Sequence, residues 1–106
     1  MVKEIYCDYD DKSPNVILSD IDLFRSVCPH LKYKIFRSTP GTERYHLMLY
    51  NLDMPMHVAL EIMRRTQTDP KYIALVQFKR EFFMRNSTRY ESDGTVTPPP
   101  VLIMEG

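Results

Sequence analysis

Glycine is scarce in this chain of 106 residues, occurring three times, at positions 41, 94 and 106. A glycine-rich loop of the kind that wraps nucleotide phosphates therefore has no place to form. Two cysteines, Cys7 and Cys28, are too few for a disulfide scaffold and lack the spacing of a metal site. They read as packed thiols; a bond between them is the alternative if the first strand and first helix bring them together. No apolar run approaches the roughly 18 residues of a membrane span, and the N-terminus lacks the basic-then-apolar pattern of a secretory signal. A cytoplasmic protein is the expectation. Net charge is also lacking, with 14 basic residues against 14 acidic ones. The chain thus falls short of the overall basicity of a dedicated nucleic-acid binder.

The charge that is present is unevenly distributed. Residues 1–22 hold six acids (Glu4, Asp8, Asp10, Asp11, Asp20 and Asp22) against Lys3 and Lys12, a net −4, which leaves residues 23–106 at +4. Bases gather between positions 60 and 89, among them Arg64, Arg65, Lys71, Arg80 and Arg85. An acidic pole and a basic flank suit a metal and a phosphate backbone respectively, or form an ordinary mixed surface.

Composition fits one domain with a modest core, at 43% hydrophobic residues. Residues 2–9 read as a strand with Ile5, Cys7 and Tyr9 on one face and Tyr6 and Asp8, continuing to Asp10, on the other. Residues 11–16 read as a loop, and Ser19 with Asp22 as the capped start of a helix whose stripe is Leu23, Phe24, Val27 and Cys28. Residues 31–38 and 44–50 form strands around the turn Ser38-Thr39-Pro40-Gly41-Thr42. Pro55 opens a second helix with Asp53 as its cap. Thr68-Asp69-Pro70 is a turn or the cap of a short helix, with 72–79 open to helix or strand. A last strand is expected near 81–85. The order is the split βαββαβ pattern of ferredoxin-like, RRM-like α+β domains, with helices on one face of an antiparallel sheet. Residues 1–90 form that domain, and 91–106, carrying Pro98-Pro99-Pro100, form an extended or disordered tail that cannot join a central sheet as a regular strand.

The acidic run Asp8-Tyr9-Asp10-Asp11 closes the first strand. Asp8 and Asp10 share a face about 7 Å apart along it, a spacing open to Mg²⁺ or Mn²⁺ with hard oxygen ligands. The alternative is a strand that ends at Tyr9 in a solvated acidic turn. Arg44, His46, Met48 and Tyr50 occupy the same sheet face.

A strand ending in D-x-D, a helix, and a hairpin of the form S-x-G-x-G-x-H resembles the RRM-like core of archaeo-eukaryotic primases and primase-polymerases. The matching residues are Asp8 and Asp10, then Ser38-Thr39-Pro40-Gly41-Thr42-Glu43-Arg44-Tyr45-His46. The resemblance implies that the two acids hold divalent metal, that His46 contacts nucleotide phosphate, and that the chemistry is nucleotidyl transfer. Ser38 becomes a hairpin contact, with Arg44 at the phosphate and Arg64 and Arg65 on the nucleic acid. The chain departs from the pattern in three ways. No acid between 72 and 80 supplies the family's third carboxylate, Asp69 and Glu81 being poorly placed. Arg44 replaces the second hairpin glycine. The elements that hold template in working primases are missing. The resemblance therefore implies a minimal or degenerate relative, of a size suited to a virus or plasmid genome.

A second class competes. Seven methionines and seven tyrosines suit an adaptable binding surface. The open sheet face then serves a non-enzymatic interaction or dimerisation module, such as a homodimer. The glycine-aromatic signature of RNA-binding RRM domains is absent, only one His stands in the His46-Leu47-Met48 segment where replication nickases place two, and no Ser-His-Asp order stands out.

Overall fold

The computed structural model describes residues 1–83, 89–90 and 92–106. The chain runs β1 (Ile5–Asp10), α1 (Pro14–Arg25), β2 (Lys32–Arg37), β3 (Arg44–Tyr50), α2 (Met56–Arg65), α3 (Pro70–Lys79), β4 (Arg89–Tyr90), β5 (Val96–Thr97) and β6 (Val101–Glu105). This is an α+β protein with a four-stranded antiparallel sheet in the order β1-β3-β2-β6, plus a small β4-β5 ribbon.

The first half follows the split pattern. Strand β3 lies between β1 and β2 and is antiparallel to both. The second half does not repeat it among the described residues. Helix α2 is followed by α3, residues 81–83 are not strand, and positions 84 and 85 of the expected last strand lie outside the described residues. The outer edge of β1 is met instead by the turn before α3, where the Asp69 N–H donates to the Asp8 carbonyl at 2.7 Å. The fourth place in the sheet is taken by β6 on the far edge, beside β2. The tail, expected not to enter a central sheet as a regular strand, contributes β6 at an edge, with a register shift between Ile35 and Phe36. Three prolines immediately before Val101 place no missing N–H inside the ladder.

Alternation decides the two faces. Ile5, Cys7, Tyr9, Ile35, Tyr45, Leu47 and Leu49 are buried beneath Ile17, Ile21 and Phe24 of α1 and Ala59, Leu60, Ile62 and Met63 of α2. Tyr72 and Val76 bring α3 into the same core. Helix α1 starts earlier than Ser19: Ser13 is its N-cap residue and Pro14 stands at its first position, where a missing N–H is harmless. The earlier start moves the inward stripe to Ile17, Asp20, Ile21 and Phe24, leaving Leu23 and Val27 exposed. Pro55 is itself the N-cap residue of α2. Asp69 caps α3 by accepting the Lys71 N–H at 3.0 Å.

Asp20, counted by sequence with the acidic pole, is a buried carboxylate at 7% exposure. Its Oδ2 accepts the Tyr9 hydroxyl at 3.0 Å and the Gln67 N–H at 2.8 Å, tying α1 to the loop that carries Asp69. Cys7 and Cys28 are both free thiols, Cys7 buried and Cys28 half-buried.

Candidate functional site

The site is made by cross-strand register. In the β1–β3 ladder Asp8 stands opposite His46 and Asp10 opposite Arg44. Directly opposed side chains on one face lie close enough to pair, and both pairs do. His46 Nδ1 is 3.2 Å from Asp8 Oδ1, and Arg44 Nε is 3.0 Å from Asp10 Oδ1. The Arg44–Asp10 pair is half exposed, so it contributes at most about 1 kcal/mol. The His46 side chain is only 13% exposed and its neighbours fix both ring nitrogens. Nε2 lies 3.0 Å from Ser38 Oγ.

Ser38 is held by the hairpin. Its N–H donates to the Arg44 carbonyl at 2.8 Å, closing the loop just past β2. Inside the loop, Thr42 returns a main-chain bond to the Thr39 carbonyl at 3.3 Å, with its hydroxyl 2.7 Å from the same oxygen. Pro40 and Gly41 are the central pair of that turn, and Gly41 has φ +74°, a conformation that glycine adopts without Cβ strain. The other end is set by Asp11, at φ 57°, whose N–H reaches the Glu43 carbonyl at 3.0 Å.

These parts enclose a pocket of about 200 Å³ lined by Asp8, Tyr9, Asp10, Ser38, Thr39, Arg44, His46 and Asp69. Five residues singled out by sequence (Asp8, Asp10, Ser38, Arg44 and His46) are therefore brought together. Arg64 and Arg65 do not line it. They end α2, the helix packed on the opposite sheet face, with Arg65 paired to Glu61 at 3.0 Å and Arg64 against the Gln77 amide. Asp69 and Thr39 are additions. Asp69, set aside by sequence as poorly placed, arrives through the β1-edge bond of its own N–H. Its legible signal was Asp-Pro, a cap followed by a first-turn proline. Glu81 does not line the pocket.

Among the described residues, no three His, Cys, Asp or Glu side chains are grouped so as to hold a metal ion by themselves. The donor chemistry still fits Mg²⁺ or Mn²⁺ in a narrower sense. Mg²⁺ is commonly held by one or two carboxylates together with substrate phosphates, and Asp8 and Asp10 are two such carboxylates on one pocket wall. A metal there would share these two carboxylates with His46 and Arg44.

No protein-family model matches this chain, and neither a curated protein nor a solved structure matches it.

Proposed function

We propose that the domain binds the phosphates of a nucleotide or nucleic acid at the β1–β3 face, as a minimal relative of primase-polymerase cores. The observation that carries the reading is the Asp8–His46 and Asp10–Arg44 pairing beside Ser38 in one pocket. Arg44 offers a guanidinium suited to phosphate oxygens, and Ser38 and His46 offer hydrogen-bonding partners on the same wall. Asp8 and Asp10 would hold a divalent cation, which when bound neutralises phosphate charge and polarises the phosphorus. Binding would require Arg44 to turn from Asp10 to the phosphate, an exchange of exposed partners that costs little. Arg64 and Arg65 are left out of this reading because they lie in the other layer.

Calorimetry with Mn²⁺ and a nucleoside triphosphate tests it. Saturable heat is expected for the native protein, reduced at least tenfold in affinity by Asp8→Ala and by Arg44→Ala. Equal heats in all three proteins would remove the reading. Single-stranded DNA affinity should also fall steeply with added salt, since phosphate contacts release counterions.

A second reading, a homodimeric interaction module, is favoured by a separate observation. Val101, Leu102, Ile103 and Met104 are consecutive exposed apolar residues on the edge strand β6, Val101 at 57%. An apolar sheet edge without a charge inside the run invites another strand. Antiparallel self-pairing about Ile103 sets Glu105 opposite Val101 and so opposes no like charges. Sedimentation equilibrium decides this reading: a dimer dispersed by Ile103→Lys supports it, and a monomer at all accessible concentrations removes it.

A further inference from the structure

We propose that Ser38 is an activated nucleophile, with His46 as its general base and Asp8 as the residue that orients the imidazole, acting on a small neutral carboxylic ester. The inference goes beyond the phosphate reading and does not rest on it.

The hydrogen-bond line has the polarity such a device needs. A carboxylate only accepts, so Asp8 Oδ1, 3.2 Å away, puts the imidazole proton on His46 Nδ1. The lone pair of Nε2 then faces Ser38 Oγ at 3.0 Å and accepts its hydroxyl proton. Serine, histidine and aspartate in this arrangement recur on unrelated folds and are recognised by geometry, not by chain order. The order here, Asp8…Ser38…His46, carries no sequence signal, which is why reading along the chain did not find it.

The parts are also rigidly mounted. Asp8 and His46 are opposite partners in a ladder, and Ser38 is pinned by its main-chain bond to Arg44. The low exposure of the imidazole limits competition from water for Nε2. Thr39 lines the same pocket and carries a main-chain N–H one residue past the nucleophile, where serine hydrolases place one oxyanion donor.

Charge and size narrow the substrate. Asp8, Asp10 and Asp69 outnumber Arg44 around the pocket, which disfavours an anionic substrate that brings no cation. A neutral ester carbonyl meets no such repulsion. A volume of about 200 Å³ suits a small ester. In the first step Ser38 Oγ forms a bond to the carbonyl carbon, its proton passing to His46 Nε2. The tetrahedral adduct collapses, the bond to the leaving alkoxide breaks, and Nε2 returns the proton to that alcohol. Water repeats the sequence on acyl-Ser38, releasing the carboxylic acid, so water is the one co-reactant.

A fluorophosphonate probe with intact-mass and peptide analysis tests the nucleophile, alongside release of 4-nitrophenol from its acetate ester in metal-free buffer. One adduct on Ser38 is expected in the folded protein and none after denaturation. Ser38→Ala should abolish it, and His46→Gln should slow it by about 10²-fold or more. Asp8→Asn should slow it and alter the pH profile of the labelling rate, a change that loss of packing alone would not produce. Circular dichroism checks that each variant folds, and Ser38→Cys, tested with iodoacetamide, preserves a nucleophile at the position. Absence of a Ser38 adduct, or an unchanged rate in folded His46→Gln, overturns the proposal, whatever calorimetry says about nucleotide phosphates.

Discussion

Asp8 and His46 face each other across the β1–β3 ladder, and the 3.2 Å contact between them takes the imidazole nitrogen that points away from Ser38. An ionised Asp8, which can only accept, favours the Nδ1–H form of the neutral ring. Nitrogen NMR of labelled protein should show Nε2 as the unprotonated nitrogen of neutral His46. Asp8→Ala removes the acceptor and should shift the ring toward the Nε2–H form, with Ser38 Oγ becoming the acceptor. An unchanged nitrogen pattern in that variant would mean that the carboxylate does not set the tautomer.

Asp20 is the buried acceptor that joins β1, α1 and the 66–69 loop. Asp20→Ala leaves the Tyr9 hydroxyl and the Gln67 N–H without their shared oxygen. Only the Tyr9 hydroxyl is a fully buried donor, the Gln67 N–H being part-buried, so a loss of about 1–3 kcal/mol is expected from urea unfolding. Tyr9→Phe should cost less, because Asp20 keeps the Gln67 N–H, and the double variant should fall short of the sum. A loss below about 0.5 kcal/mol for Asp20→Ala would show that water replaces the carboxylate freely.

What was legible in the sequence follows from the period of two. Ile5, Cys7 and Tyr9 against Tyr45, Leu47 and Leu49 define a buried face in each strand, and that choice aims Asp8, Asp10, Arg44 and His46 the other way. The hairpin between β2 and β3 was equally readable from Pro40-Gly41, so Ser38 came with it. Helix α1 was misplaced because Ser13-Pro14 serves loops and helix starts alike, and only the packing of Ile17 and Asp20 against the sheet decides between them. The same shift hid Asp20, which the Leu23–Val27 stripe would have left in solvent. Strand β6 was unreadable for a different reason. Its side chains are exposed, so the ladder to β2 is made by backbone groups that no side-chain pattern announces.

Asp69 joins the helix cap to the pocket, and its two functions are separable. Its carboxylate caps α3 through the Lys71 N–H, whereas its own N–H holds the β1 edge. Asp69→Ala should therefore cost about 1 kcal/mol, the usual loss of a cap, while leaving the main-chain bond to Asp8 in place. Asp69→Asn should recover most of it. Hydrogen exchange at the Asp69 amide checks the second half of the statement: protection comparable to the native protein is expected in Asp69→Ala, and its loss would show that the cap and the edge bond are one cooperative unit.

Cys7 makes stability fall on the alkaline side. Burial pushes its thiol from 9.0 up to about 12. Burial likewise raises the phenols of Tyr9 and Tyr72, the former with a further contribution from its Asp20 partner. The native state therefore keeps protons that the unfolded chain releases, and stability declines as pH rises above the unfolded value. From about pH 9 to the tyrosine range, Cys7 contributes a slope that rises from about 0.7 toward about 1.4 kcal/mol per pH unit, with the phenols steepening it beyond about pH 10. Below about pH 8 these groups hold their protons in both states and contribute no pH dependence. Urea midpoints measured from about pH 8 to about pH 10 should show the decline in the native protein. In Cys7→Ala the starting stability is lower, from the cavity left beside Leu47, but the curve should stay flatter until the tyrosines begin to titrate. An equally steep curve in the variant would assign the alkaline loss to the phenols and not to the thiol.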